Sequence, residues 1–173
     1  ARDDADLPEI TVLMAEAEGL IAAFKEMRRT EGAALAEVMV AQLDRMADLT
    51  AQAAETAEAR TAAQGNRLRA QVAALLEATD VVDEDRLAQE LALLAVKADI
   101  TEEIDRLRAH IAAARDLIAG GGPVGRKRDF LMQEFNREAN TLCSKSGDAA
   151  LTAIGLDLKL TIDQMREQVQ NVE

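Results

Sequence analysis

The sequence predicts an all-α protein, with a long helical hairpin arm of the coiled-coil type over residues 1–80 and a C-terminal bundle of about three helices over residues 81–173. Aromatic residues make up only 2% of the chain, and alanine supplies much of its apolar content, which favours helices packed through small side chains. Only two prolines and nine glycines interrupt the chain. Large apolar residues recur at helical spacing, and the alternation typical of strands is nearly absent.

The arm is predicted to begin with a helix that starts after Pro8. Apolar residues follow helical spacing from Leu13 to Leu49, and no proline stops the helix in this range. The segment "QGN" at 64–66 can be read as a turn or as a glycine tolerated within a helix. With a turn there, the residues from Leu68 to Leu76 form the return segment of a hairpin.

Three further helices are predicted in the C-terminal part. The first has Asp83 as its N-cap and runs to about Ala119, after which "GGGPVG" imposes a loop at 120–125. The second lies in "RKRDFLMQEFNREANTLCSKSGD" at 126–148 and ends at "SKSGD". Asp148 can cap the last helix, whose apolar residues again step by threes and fours.

The overall charge limits the partners that the chain can have. A net charge of -12 argues against a general polyanion binder, although the last third of the chain is close to neutral and is where any nucleic-acid contact is expected. The single cysteine, Cys143, excludes an internal disulfide and fits a reducing cytoplasm. No apolar run of about 18 residues is present, so no membrane span is expected.

A polar stripe is predicted on the helix that covers residues 99–110, next to an apolar face that includes Ile104 and Leu107. Carboxylates and an imidazole on one face suit a divalent metal or a general acid–base pair. The alternative is a solvated face in which Glu102 pairs with Arg106. The stripe consists of Asp99, Glu102, Glu103, Arg106 and His110.

The helix that follows the glycine-rich loop carries two polar rows beside its apolar face. One row is Gln133, Arg137, Asn140 and Ser144, and the other is Glu134, Glu138, Thr141 and Lys145. Arg137 and Lys145 could bind phosphate, and Glu134 and Glu138 could share a cation. A hydrogen-bond network between helices is the alternative. At the helix start, Arg126, Lys127 and Arg128 could meet a phosphate or form a mobile basic loop.

Several segments resemble the C-terminal half of the bacterial YicC/YloC family. They are "RLAQELALLAVKADITEEIDRLRAH", "GPVGRKRDFLMQEFNREANTLCSKS" and "IDQMREQVQNVE", together with "MRRTEGAALAEVM", which fits an Arg-x-x-Glu-Gly-x-x-Leu pattern read from Arg28 or Arg29. Two residues depart from the family pattern: Arg128 stands where an apolar residue is usual, and Cys143 where glycine is usual.

The resemblance implies a stress-related cytoplasmic endoribonuclease that uses a divalent metal and assembles as a ring-like hexamer. It also implies that the signature motifs lie in residues 81–173 and that the N-terminal α/β domain of the family is not included in this sequence. If that domain supplies RNA contacts, the present chain is expected to be inactive alone. The roles of individual residues do not follow from the resemblance.

The leading hypothesis is a metal-dependent endoribonuclease, or its helical C-terminal portion, with Mn²⁺ or Mg²⁺ as cofactor and RNA as substrate. The residues expected to perform catalysis are Glu103, His110, Glu134 and Glu138. The expected metal ligands are these four and Asp99, although one ion could not contact both Asp99 and His110. The expected RNA-binding residues are Arg106, Arg126, Lys127, Arg137, Asn140, Lys145, Lys159 and Arg166. The alternatives are an RNA-binding adaptor without catalysis and a helical module for oligomerisation.

Overall fold

A computed structural model of the chain describes residues 9–78, 84–120 and 125–170. Helix α1 comprises Ile10–Ala78, α2 Glu84–Ala98, α3 Thr101–Gly120, α4 Gly125–Lys145 and α5 Ala149–Gln170. No strand occurs within these described ranges, so the predicted all-α class is confirmed. In the same ranges, no helix is both long enough and apolar enough to cross a membrane.

Helix α1 is continuous over 69 residues, so of the two interpretations of residues 64–66 the hairpin turn is wrong and the glycine within a helix is confirmed. It begins at Ile10, as expected for a start after Pro8. A glycine inside a helix costs only about 1 kcal/mol relative to alanine. A Cβ atom added to Gly65 would meet nothing within 4 Å, so no neighbouring group forces a break there. The helix therefore does not reverse within its described length, and the domain boundary predicted between residues 80 and 81 lies outside the described residues.

The chain divides into two compact units, Ala1–Val38 and Met39–Glu173. In the first unit, the apolar residues of α1 that follow helical spacing are exposed, as Leu20 at 73% and Phe24 at 51% illustrate. In the second unit the same helix buries its apolar residues, beginning with Met39 and Leu43. The helical period of α1 was thus predictable over both units, whereas its burial differs between them.

The core of the second unit is built from α1, α3, α4 and α5. Helix α3 contributes the apolar face predicted for it, and α4 and α5 pack against each other most closely. Their contact is tight at Gly155, where an added Cβ would lie 2.5 Å from Cys143 Sγ and 3.2 Å from Leu142 Cδ2. The buried apolar residues of the four helices include Leu43, Met46, Leu49, Ile104, Leu107, Ile111, Leu131, Phe135, Leu142, Leu151, Leu158, Ile162 and Met165.

The segment predicted as one helix from Asp83 to about Ala119 contains a break at residues 99–100. The Asp99 carboxylate accepts hydrogen bonds from the Thr101 backbone N–H at 2.9 Å and from the Thr101 hydroxyl at 2.7 Å. These bonds satisfy donors at the start of α3, which is the role of an N-cap. The break therefore follows from a capping residue that was assigned to the polar stripe. The predicted cap at Asp83 lies outside the described residues.

Arg60 on α1 holds the ends of two other helices. Its Nη2 donates to the Ala98 carbonyl at the end of α2 at 2.6 Å. Its Nη1 donates to the Lys145 carbonyl at 3.3 Å and to the Ser146 carbonyl, both at the end of α4. One guanidinium thus satisfies carbonyls that have no partner within their own helices. The sequence interpretation had not identified this residue.

The connection from α4 to α5 agrees with the sequence prediction. Gly147 adopts a φ of 53°, a left-handed conformation that glycine accepts without strain. Asp148 Oδ1 then accepts hydrogen bonds from the Ala150 and Leu151 backbone N–H groups at 2.8 and 3.0 Å. The predicted cap of the last helix is confirmed. In the loop predicted at 120–125, α3 ends at Gly120 and α4 begins at Gly125, and residues 121–124 lie outside the described part.

Candidate metal centre and polar groove

A row of polar contacts runs along the interface of α3 and α4, which are antiparallel. Lys145 near the end of α4 donates to Glu103 near the start of α3 at 2.8 Å. Further along, Arg106 Nη1 donates to Glu138 Oε1 at 3.3 Å. This register follows from the packing of both apolar faces, and it brings the two predicted polar stripes into one continuous surface.

Next along this interface, His110, Glu134 and Glu138 form a cluster that could hold a metal ion. Each offers one ligand atom, and these atoms lie within 4.8 Å of one another. Glu134 and Glu138 are one helical turn apart on α4, so both carboxylates face His110 on α3. This triad is a subset of the ligands that the sequence predicted. No other group of three such residues converges in the described parts of the chain.

The environment of His110 fits a metal ligand. Its Nε2 atom is buried and has no hydrogen-bond partner among the described residues. Its ring meets the Phe135 ring edge to face, with centroids 5.9 Å apart and planes at 81°, which restricts the imidazole orientation. A buried ring nitrogen without a partner is costly unless a hydrogen-bond partner or a cation meets it. The orphaned atom is therefore consistent with an ion between His110 and the two carboxylates.

Arginine side chains neutralise both carboxylates of the triad. Glu138 is only 2% exposed, and Arg106 pairs with it and also with Glu102 on its own helix. The hydrogen bond to Glu138, followed by the charge of Glu102, raises the pKa of Arg106 above its ordinary value. Arg137 pairs with Glu134 at 3.5 Å. Each candidate carboxylate ligand thus has a guanidinium beside it.

Asp99 and Glu103 are not brought to this cluster. Asp99 caps α3, and the hydrogen bonds from Thr101 hold the pKa of its carboxyl below the ordinary value. Glu103 is 5% exposed and binds Lys145, while its other oxygen, Oε2, is buried without a partner among the described residues. The distance predicted between Asp99 and His110 thus agrees with the structure, and Glu103, which was expected among the ligands, does not join the cluster. The cause is local for Asp99, and for Glu103 it is the position of Lys145 across the interface.

A polar groove lies between α4 and α5. It has a volume of about 660 Å³. The structure brings together here three of the predicted RNA-binding residues, Arg137, Asn140 and Arg166. The groove is lined by Asp129, Met132, Gln133, Asn136, Arg137, Asn140, Asp163, Arg166 and Gln170.

The remaining predicted RNA-binding residues are distributed elsewhere. Arg126 and Lys127 line a mostly apolar pocket that also contains Phe130. Lys145 is engaged with Glu103, and Lys159 lies partly buried on α5. Arg106 lies at the metal cluster rather than at the groove.

The sequence interpretation included Arg166 of α5 but missed Asp163 and Gln170, which line the groove with it. Asp163, Arg166 and Gln170 are spaced by three and four positions, which places them on one face of a helix. This spacing was a signal that could have predicted a polar wall. That this wall faces the polar row predicted on α4 could not be inferred from spacing alone.

The profile of the family described as "Endoribonuclease YicC-like, C-terminal" matches residues 53–173 of the chain. The chain belongs to this family. The matched range includes the candidate metal cluster and every residue of the polar groove. The earlier resemblance to the C-terminal part of the family is thus confirmed.

Two relatives show the same relationship. A protein of Haemophilus influenzae named "Probable endoribonuclease YicC" is 56% identical over 72 residues, covering 42% of this chain and 25% of the relative. A protein of the same name from Clostridioides difficile is 45% identical over 73 residues, again covering 42% of this chain and 25% of the relative. The match thus spans about a quarter of the length of each relative.

Proposed function

We propose that this chain is the helical part of a metal-dependent endoribonuclease and that it supplies the metal ligands. The convergence of His110, Glu134 and Glu138 carries the proposal, because these residues offer one nitrogen and two carboxylate oxygens within 4.8 Å of one another. Family membership supports RNA as the substrate, since the relatives are named probable endoribonucleases. The polar groove supports it as well, because three predicted RNA-binding residues meet there.

The donor set indicates which ion is preferred. Mg²⁺ takes oxygen ligands and keeps several waters, whereas a mixed set of imidazole and carboxylate is compatible with Mn²⁺. We therefore propose Mn²⁺ as the better cofactor and Mg²⁺ as the weaker one. When bound, a divalent ion can polarise a phosphoryl oxygen and lower the pKa of a bound water.

The arginines beside the cluster are placed to bind the phosphodiester. Arg106 and Arg137 now neutralise Glu138 and Glu134. When a cation is bound by the two carboxylates, it neutralises their charge in place of the arginines. Each guanidinium can then donate two hydrogen bonds to a phosphate, because its planar pair of N–H groups matches two phosphate oxygens. The buried position of Glu138 explains why Arg106 is needed as its counter-ion when no cation is bound.

We also propose that the functional protein is a cytoplasmic homo-oligomer, with the hexamer implied by the family resemblance as its form. The exposed apolar residues of α1 in the first unit, such as Leu20 and Phe24, support association with another chain. This part of the proposal is separate from the metal cluster, and light scattering of the full-length protein would test it.

Binding and cleavage should be measured separately. Calorimetric titration of the chain with MnCl₂ should show binding that is lost in Glu134→Gln, while Glu90→Gln, a change at an exposed position on α2, should bind Mn²⁺ normally. Incubation with a structured RNA should then show cleavage that EDTA and Glu134→Gln both abolish. Unchanged Mn²⁺ affinity in Glu134→Gln would refute the metal cluster. RNA binding without cleavage by the full-length protein would instead support an adaptor.

A further inference from the structure

The walls of the groove between α4 and α5 carry three kinds of polar group. Carboxamides come from Gln133, Asn136 and Asn140 on α4 and from Gln170 on α5. Guanidiniums come from one residue on each helix, and so do carboxylates. A volume of about 660 Å³ lies within the range typical of small-molecule and cofactor sites.

The charges of these groups exclude a simple phosphate site. Arg137 and Arg166 are offset by Asp129 and Asp163, so the lining carries no net charge. Carboxylates repel a polyanion, so they would weaken binding in a groove that held only the phosphates of a strand. The composition instead suits a ligand with one negative group and several neutral donors and acceptors.

The carboxamides are available to such a ligand. Among the described residues, Gln133, Asn140 and Gln170 form no side-chain hydrogen bonds. Asn136 donates a bond of 3.3 Å to the Met132 carbonyl, and its own side-chain oxygen accepts none from the described part of the chain. A carboxamide presents a donor beside an acceptor, and unpaired bases offer the complementary arrangement on their edges.

The groove also adjoins the metal cluster. Arg137 lines the groove and pairs at 3.5 Å with Glu134, which belongs to the cluster. A nucleotide in the groove would therefore lie next to a phosphate held at the cluster. The presence of a phosphate at the cluster rests on the proposed function, in which the cluster takes part in RNA cleavage.

We propose that the groove between α4 and α5 is the subsite for one unpaired ribonucleotide adjacent to the bond that is cleaved. Arg137 and Arg166 contact its phosphate, Gln133 and Asn140 bind the edge of its base, and the Asp163 carboxylate accepts a hydrogen bond from the ribose 2′-hydroxyl. Base edges inside a duplex are engaged with the opposite strand, so the subsite selects single-stranded RNA or a loop.

The test is equilibrium binding of labelled oligonucleotides to the chain in EDTA, where no metal-dependent cleavage occurs. Four probes are compared by fluorescence anisotropy: a single-stranded RNA, the same RNA in a blunt duplex, the same sequence as DNA, and an abasic oligomer with the same number of phosphates. The single-stranded RNA should bind about tenfold more tightly than each of the others, the loss expected when a base or hydroxyl contact is missing. Adenosine monophosphate, as a fifth probe, distinguishes a free nucleotide from a strand, and its binding as tightly as the RNA would overturn the proposal.

Variants assign the contacts. Asn140→Ala should weaken RNA binding about tenfold and leave binding of the abasic oligomer unchanged. Arg166→Gln should weaken the binding of both. Gln164→Ala, a change at an exposed position of α5 outside the groove, should change neither. Thermal unfolding of each variant confirms that it is folded.

Two further results would overturn the subsite: equal binding of duplex and single-stranded RNA, or an equal effect of Asn140→Ala on the RNA and the abasic oligomer. Either result would leave the proposed function intact if Mn²⁺ binding still depends on Glu134. The reverse outcome is also possible: RNA binding depends on the base, but Mn²⁺ binding does not depend on Glu134. In that case the groove binds RNA and the cluster does not hold a metal.

Discussion

Replacing Gly155 with alanine tests the close approach of α4 and α5, the two helices that form the groove. The added Cβ would lie 2.5 Å from Cys143 Sγ and 3.2 Å from Leu142 Cδ2. The first distance is far below van der Waals contact, so either the thiol must rotate away or the helices must separate.

The magnitude follows from two opposing effects. Alanine in place of glycine within a helix stabilises by about 1 kcal/mol, because less backbone entropy is lost on folding. Overpacking of a well-packed interface costs about 1–3 kcal/mol. We therefore expect Gly155→Ala to lower the free energy of unfolding by up to about 2 kcal/mol. Adding Cys143→Ala removes the sulfur atom and should recover most of that loss.

The assay is urea unfolding followed by far-ultraviolet circular dichroism. Gly65→Ala is the matched control, because a Cβ at this helical position would meet nothing within 4 Å. It should raise the free energy of unfolding by about 1 kcal/mol if α1 passes through residue 65 as a helix. A stabilisation of Gly155→Ala equal to that of Gly65→Ala would refute the close approach of α4 and α5. A loss of stability in Gly65→Ala would contradict the continuity of α1.

Three other predictions concern charged groups. Arg60→Met should lower the free energy of unfolding by about 2 kcal/mol, because carbonyls at the ends of α2 and α4 lose a charged donor. Arg108→Met is its control: it breaks a pair with Asp105 at 3.2 Å and should cost about 0.5 kcal/mol or less in the same urea assay. Asp99→Ala should cost about 1 kcal/mol at neutral pH. The hydrogen bonds from Thr101 lower the pKa of Asp99 from 3.8, so its contribution to stability is complete above that value and fades as the pH falls below it. Urea unfolding of the parent protein and the variant at neutral pH and at about pH 2 checks this. A cost of Asp99→Ala that is the same at the two pH values would contradict it. Arg106→Gln leaves Glu138 without its counter-ion, so Mn²⁺ should raise the melting temperature of the variant more than that of the parent protein, and an equal increase would separate Arg106 from the cluster.

Local periodicity made much of the site predictable. Helical spacing placed Glu134 and Glu138 on one face of α4, and it placed His110 on a polar stripe beside the buried face of α3. These relations depend only on residues within a few turns of one helix. The all-α class could be predicted for the same reason.

The partners across helices could not be predicted in this way. Whether His110 or Glu103 meets the carboxylates of α4 depends on the sliding and rotation of one helix against another, which the packing of all their apolar side chains decides together. The groove likewise needs Asp163 and Arg166 on α5 to face α4.

The sequence by itself determined the all-α class, the buried faces of α3, α4 and α5 and the candidate acids, because these depend on interactions within three or four residues of the chain. Only the tertiary structure decided that Lys145 engages Glu103 and that the histidine joins two glutamates. In each case, several possible partners compete for one polar group. The spatial arrangement of the helices resolves that competition, and residue spacing along the chain does not.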